Sequence, residues 1–260
     1  MVPNFARMPD PAPTSLYARW REVAARRGSA VAVREFPGGR TCTFAELEQA
    51  GEQAEPSPHV LQTALTGFGF LIDVLRAWRD GAVLVPDDTG GTFHFDASEL
   101  PGRVCHVKVT SGSTGNRQGV MFDAQALAAD ARQVITTMGL HEDLPNLGVI
   151  SLAHSYGFSN LVTPLLLEGI PLFLLKSPLP GLMREVLATG TTSGVALPAV
   201  PAMWRAWEQA ALDFSAVRIA ISAGAPLPLG LEQTVHARTG LKIHNFYGSS
   251  ECGGIAYDAS

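Results

Sequence analysis

Short apolar segments alternate with amphipathic ones through most of this chain, and few folds accept that alternation. Strand-like runs occupy 60–66, 82–86, a stretch leading into Thr110, 148–151, 171–175, 193–196, 218–222 and 242–245. Helical patterns fill the intervals at 70–79, 124–138, 157–167, 183–189, 200–211 and 229–239. Strands separated by helices predict an α/β fold with mostly parallel sheets flanked by helices. Upstream, Leu16, Trp20, Val23 and Ala24 have the spacing of one helical face, so a helix is expected over 15–27. A strand at 30–33, a Pro37-Gly38-Gly39 turn and a strand at 40–43 come next. Thr43 and Glu46 have capping-box spacing, which starts a helix at Phe44. The proline-rich residues 1–14 read as a disordered lead-in. Gly, Asp and Pro concentrate at 88–102, dividing a short first subdomain (15–100) from a larger second one (101–260).

Composition narrows the function. With 260 residues, 46% of them hydrophobic, the chain can bury a substantial core. A net charge of -5, with no basic run longer than Arg26-Arg27, argues against nucleic-acid binding. Pro3, Pro9, Pro11 and Pro13 break any signal-peptide core. The apolar stretches near 161–175 are interrupted by Pro164, Glu168 and Pro171, too soon to span a bilayer. Cys42, Cys105 and Cys252 have no metal-like spacing and are expected to be reduced. A cytoplasmic protein without membrane or nucleic-acid partners is the expectation.

In parallel sheets, ligands bind beyond the carboxyl ends of the strands. Four polar loops are expected there. The first, Thr110-Ser111-Gly112-Ser113-Thr114-Gly115, offers hydroxyls and backbone N–H groups in succession, the donors a polyphosphate needs. It is not a Walker A sequence, and the chain contains neither a dinucleotide fingerprint nor a nucleophile elbow. In Asn245-Phe246-Tyr247-Gly248-Ser249-Ser250-Glu251, Tyr247 can stack on a purine and Gly248 lets the backbone come close. Ser250 can bond a phosphoryl oxygen, and Glu251 is a hard ligand suited to Mg²⁺. Small residues in Ser222-Ala223-Gly224-Ala225-Pro226-Leu227-Pro228 allow close contact with a flat base. The fourth loop, Ser151-Leu152-Ala153-His154-Ser155-Tyr156-Gly157-Phe158, contributes His154. Singly, each has a plainer reading: Tyr247 a half-buried aromatic, Glu251 a solvated turn carboxylate, His154 a structural histidine, Arg117 a surface cation. Their convergence favours a nucleotide site.

These loops resemble those of the adenylate-forming enzymes: acyl- and aryl-CoA synthetases, luciferases and peptide-synthetase adenylation domains. The first matches eight of the ten specified positions of Thr-Ser-Gly-(Ser/Thr)-Thr-Gly-x-Pro-Lys-Gly-Val, with Arg117 and Gln118 standing for Pro and Lys. The second is similar to Asn-x-Tyr-Gly-x-Thr-Glu, the third to (Ser/Gly)-Gly-Ala/Glu-Pro-Leu, the fourth to the His-x-x-Gly segment of acyl-CoA synthetases.

The resemblance implies the N-terminal large domain of such a synthetase, and the reaction of ATP with a carboxylic acid to give acyl-adenylate and pyrophosphate. Transfer to CoA or to the phosphopantetheine of an acyl carrier protein follows. It implies that Thr110, Ser111, Gly112, Ser113, Thr114 and Gly115 hold the β- and γ-phosphates, with Ser250 on the α-phosphate, Ser249 beside it in the nucleotide site and Glu251 on Mg²⁺. Gly224, Ala225, Pro226, Asn245, Tyr247 and Gly248 would hold the adenine. His154 would orient the acid in a pocket of Tyr156, Gly157, Phe158, Ala199, Val200 and Ala223. That pocket reads as apolar with no charged anchor, which favours a fatty or aryl acid over an amino acid. The family continues past the position of Ser260 with a ribose-binding aspartate and a lid domain carrying a lysine. The expectation is therefore a truncated piece, inactive or weakly binding alone. The alternative is a non-catalytic nucleotide- or acyl-binding module.

Overall fold

A computed structural model describes residues 15–87, 93–94, 100–110, 117–189 and 194–259. Ser15 caps α1 (Leu16–Arg27) by accepting from the Ala18 N–H, and Leu16, Trp20, Val23 and Ala24 are its buried face. β1 (Val31–Phe36) and β2 (Thr41–Thr43) lead into α2 (Phe44–Gln53), whose capping box from Thr43 and Glu46 is formed. β3 (Val60–Thr63), α3 (Gly67–Asp80) and β4 (Val83–Pro86) follow. β5 (Val104–Thr110) pairs antiparallel with β6 (Gln118–Asp123), and Asp123 caps α4 (Ala124–Met138).

β7 (Asn146–Gly148) is shorter and earlier than the expected 148–151, because the chain turns away after Gly148. A continuous helical segment then runs through α5 (Ser155–Gly157), a π-turn (Phe158–Val162) and α6 (Thr163–Glu168). β8 (Leu172–Leu175), α7 (Pro180–Thr189), β9 (Val195–Ala199) and α8 (Pro201–Gln209) continue the alternation. β10 (Val217–Ser222), α9 (Leu229–Thr239), β11 (Ile243–Ser249) and β12 (Gly253–Tyr257) complete it. β11 runs past the expected end at Asn245 and returns as β12. Tyr247, Gly248 and Ser249 are thus strand residues rather than loop residues, and the turn begins at Ser250.

Among the described residues the strands form two sheets. The larger has the order β12-β11-β10-β9-β7-β8-β1-β2, parallel from β11 to β1 with an antiparallel strand at each edge. The smaller has the order β3-β4-β5-β6. Sheet membership crosses residue 100: β1 and β2 join the later strands, while β5 and β6 join the earlier ones.

Alternating side chains sort the large sheet's faces. Leu197 and Ala220 pack with Trp204, Trp207 and Val235 from α8 and α9. Ala196 and Ile221 face Val134 and Met138 of α4. Trp204 and Trp207 each place their indole N–H, Trp204 on the Ile221 carbonyl at 3.2 Å and Trp207 on the Pro178 carbonyl at 2.7 Å. A second core joins α1, α2, α3 and the 155–168 segment around Trp20, Phe44, Phe70 and Phe158. No helix among the described residues is long and apolar enough to cross a membrane.

Strand order fixes where a ligand can sit. From β7 the chain moves to β8 on one side, and from β9 to β10 on the other, so β7 and β9 flank a switch point. The segments leaving their carboxyl ends diverge and open a crevice.

Candidate functional site

A cavity of about 220 Å³ lies at this crevice, walled by residues from β5, the 154–160 segment, the end of β10 and the β11–β12 hairpin. His154 opens the helical segment. Its Nδ1 accepts the Tyr156 N–H at 3.2 Å, so the ring proton resides on Nε2. The buried Tyr156 phenol donates to the Ala199 carbonyl at 3.4 Å, tying the segment to β9. Burial holds that phenol far above the usual tyrosine range, so it is a neutral donor. Gly157 is required by space: a Cβ there would run into the Ser151 carbonyl oxygen. The hydroxyls of Ser155 and Ser250 meet at 3.1 Å, joining the helical segment to the hairpin turn.

Lys108 on β5 was not anticipated. Only 4% exposed, it lines the cavity and donates to the Ser159 hydroxyl at 3.3 Å. Ser159 in turn donates to Asp130 Oδ2 at 2.6 Å, and Asp130 Oδ1 accepts the Gly254 N–H at 3.1 Å. The ammonium also sits 4.5 Å from the centroid of Phe122. Burial lowers the Lys108 pKa from its ordinary value, with Asp130 opposing the shift. His106, two residues back, is buried against Phe158 with ring centroids 4.2 Å apart. Burial and then Lys108 push its pKa well below the usual value, leaving it neutral. The signal was in the strand period: in Val104-Cys105-His106-Val107-Lys108-Val109-Thr110 the polar side chains share one parity, hence one face.

The sequence pattern of the AMP-binding enzyme family matches residues 74–260. The chain belongs to that family. It is 26% identical over 168 residues to 4-coumarate--CoA ligase 1 of Arabidopsis thaliana, covering 62% of this chain and 30% of the relative. It is 31% identical over 155 residues to a feruloyl-CoA synthase of Amycolatopsis sp., covering 57% and 30%. The ATP-bound MatB of Rhodopseudomonas palustris has the same fold, with a TM-score of 0.79 at 18% identity, covering 94% of this chain and 61% of MatB. The chain thus spans about a third of the two curated relatives.

Among the residues expected in an AMP-binding site, His154, Tyr156, Ala223, Gly224, Gly248, Ser249 and Ser250 border the cavity. Ala199 and Val200 lie directly behind it, Ala199 holding the Tyr156 hydroxyl and Val200 standing against Gly224. Gly224 has φ +83°, a conformation that favours glycine at the base of this wall. Asn245, Tyr247, Ala225 and Pro226 are exposed outside the cavity. Phe158 is fully buried against His106 and Phe70, a core residue rather than a cavity wall. Thr110 ends β5, its hydroxyl donating to the Gln118 carbonyl at 3.4 Å. Ser111, Gly112, Ser113, Thr114 and Gly115 lie outside the described residues. Arg117 is ion-paired with buried Asp87 at 2.7 Å and lies over the Phe93 ring.

Glu251 stands exposed at the hairpin turn, without an ion pair among the described residues. No cluster of three or more His, Cys, Asp or Glu that could hold a metal occurs among them. Mg²⁺ commonly takes one or two carboxylates beside substrate phosphates, so this donor set fits an ion that arrives with a nucleotide.

Proposed function

We propose that this chain is the nucleotide- and acid-binding part of an AMP-forming acid–thiol ligase. The reading is carried by the meeting of His154, Ser155 and Ser250 at one end of a single cavity, beside Gly224 and Gly248. The adenine lies along the exposed face of Tyr247, against Asn245 and the Gly224-Ala225-Pro226 backbone. His154 offers its Nε2–H to one oxygen of the acid. The other oxygen attacks the α-phosphorus, forming the acyl–phosphate bond as the bond to the β-phosphate oxygen breaks and pyrophosphate leaves. Ser250 holds an α-phosphate oxygen, and residues 110–115 take the β- and γ-phosphates. Held by Glu251, Mg²⁺ would neutralise charge on the leaving pyrophosphate. The acceleration comes from alignment and fixed donors. In the whole protein the thiol of CoA or of a carrier's phosphopantetheine then takes the acyl group, the acyl–phosphate bond breaks and AMP leaves.

The acid is a carboxylic acid rather than an amino acid. Among the described residues no carboxylate borders the cavity to pair with a substrate ammonium. Tyr156 and Phe246, with ring centroids 6.2 Å apart, favour an aryl or hydrocarbon portion.

Titration of the chain with ATP·Mg²⁺ tests this. Binding is expected on the order of 0.1–1 mM, about −4 to −5.5 kcal/mol. Exchange of labelled pyrophosphate into ATP on the whole protein separates a synthetase from a binding module. The latter is favoured by Gln118 at the position of the family lysine and by Arg117 being held on Asp87. Absence of ATP binding removes both readings. Adenylation by the 260-residue chain at the rate of complete enzymes would remove the claim that further segments are required.

A further inference from the structure

We propose that the acid is a dicarboxylic acid, its second carboxylate held by Lys108 at the inner end of the cavity; this rests on the acid-activating reading above. Among the described residues Lys108 makes one hydrogen bond, to Ser159, although an ammonium carries three donors. Asp130 attracts it through space but is hydrogen-bonded elsewhere. Asp130 already has Oδ2 on Ser159 at 2.6 Å and Oδ1 on the Gly254 N–H at 3.1 Å, and no ion pair joins it to Lys108. Ser159 spends its single proton on Asp130, so it can only accept from Lys108. A cation held in a buried position, with donors to spare and a cavity in front of it, is arranged for an anionic ligand group.

The length of the ligand follows from the helix. Ser155 marks the reacting end through its contact with Ser250, and Ser159, beside Lys108, is four residues further along. At about 1.5 Å per residue the two ends are separated by about 6 Å. A para-substituted aryl dicarboxylate or a six-carbon aliphatic one spans that distance, and a cavity of about 220 Å³ admits either. The aromatic walls of Tyr156 and Phe246 would flank the connecting carbons.

Titration of the chain, in the presence of ATP·Mg²⁺, with terephthalate against benzoate and adipate against hexanoate tests the proposal. Each dicarboxylate is expected to bind about tenfold or more tightly than its partner, the ratio a charge-assisted hydrogen bond supplies. Lys108→Met should erase that ratio while leaving monocarboxylate and ATP binding in place. Equal binding of both members of each pair, with ATP bound normally, overturns this inference and leaves the acid-activating reading standing. So does a preference that survives in Lys108→Met. Failure to bind ATP and every acid overturns both. The comparison on the unchanged chain decides the matter even if the variant does not fold.

Discussion

The two walls of the cavity are built differently. The inner wall, from β5 and the 154–160 segment, consists largely of buried residues fixed by packing: Lys108, Ser159 and Asn160 are buried, Tyr156 is tied to β9, and Phe158 behind them lies between His106 and Phe70. The outer wall is the edge hairpin of β11 and β12, where Tyr247 is 65% exposed and the turn is held by hydroxyl contacts. A deeply packed wall discriminates by shape and charge. An open hairpin suits a ligand whose flat base and phosphates are shared by many substrates. On the function proposed above, choice of acid would fall to the inner wall and nucleotide contact to the outer.

Substitutions can break that division. Phe158→Ala removes a fully buried ring and should cost about 3–5 kcal/mol in denaturant unfolding. A loss under 1 kcal/mol would mean that the inner wall is not set by packing. Gly157→Ala forces a methyl group into the Ser151 carbonyl and should cost about 1–3 kcal/mol. It should also weaken acid binding more than ATP binding, because His154 shifts with the segment.

Lys108→Met removes a desolvated charge, a gain on the order of 1 kcal/mol at pH 7, set against the lost attraction to Asp130, whose oxygens keep their bonds to Ser159 and Gly254. The folded pKa of Lys108 lies below its unfolded value, so the fold disfavours the charged form. That penalty is fully present below the folded pKa and fades as pH rises toward the ordinary 10.5. The gain from Lys108→Met should therefore shrink in alkali, as melting temperatures across a pH series would record. Smallest in stability, Tyr247→Ala should change unfolding by less than about 0.5 kcal/mol. It should nevertheless weaken ATP binding by about three- to tenfold through lost stacking. Equal losses for acid and ATP would erase the distinction between the walls.

The inner framework was legible in sequence where local rules are strong. Thr43 with Glu46 marked the start of α2, and Asp123 and Gly139 bracket α4 at the expected residues. The outer wall was not, because Gly248, Ser249 and Gly253 lack the β-branched alternation that marks a strand, and edge pairing alone makes β12. The exchange of strands between sheets was also invisible, since it depends on contacts between β1 and β8, far apart in sequence. His154, Gly224, Gly248 and Ser250, singled out by the strings their loops carry, border one cavity. Lys108 is hidden in sequence by the apolar strand residues on either side of it, Val107 and Val109. An apolar neighbourhood says that a strand is buried; it does not say which side chain the strand turns toward a cavity.

The π-turn at Phe158–Val162 acts as a phase adjuster in the 155–168 helical segment. One residue more than an α-turn advances everything upstream by about 100° relative to everything downstream. Ser159 and Asn160 therefore border the cavity while Leu165 and Leu166 remain locked in the core. The stretch that borders the cavity is consequently out of phase with the helix that anchors it. Removing a single residue there would return the segment to α-helical phase and turn a different set of side chains toward the cavity, at the cost of a residue that is itself buried.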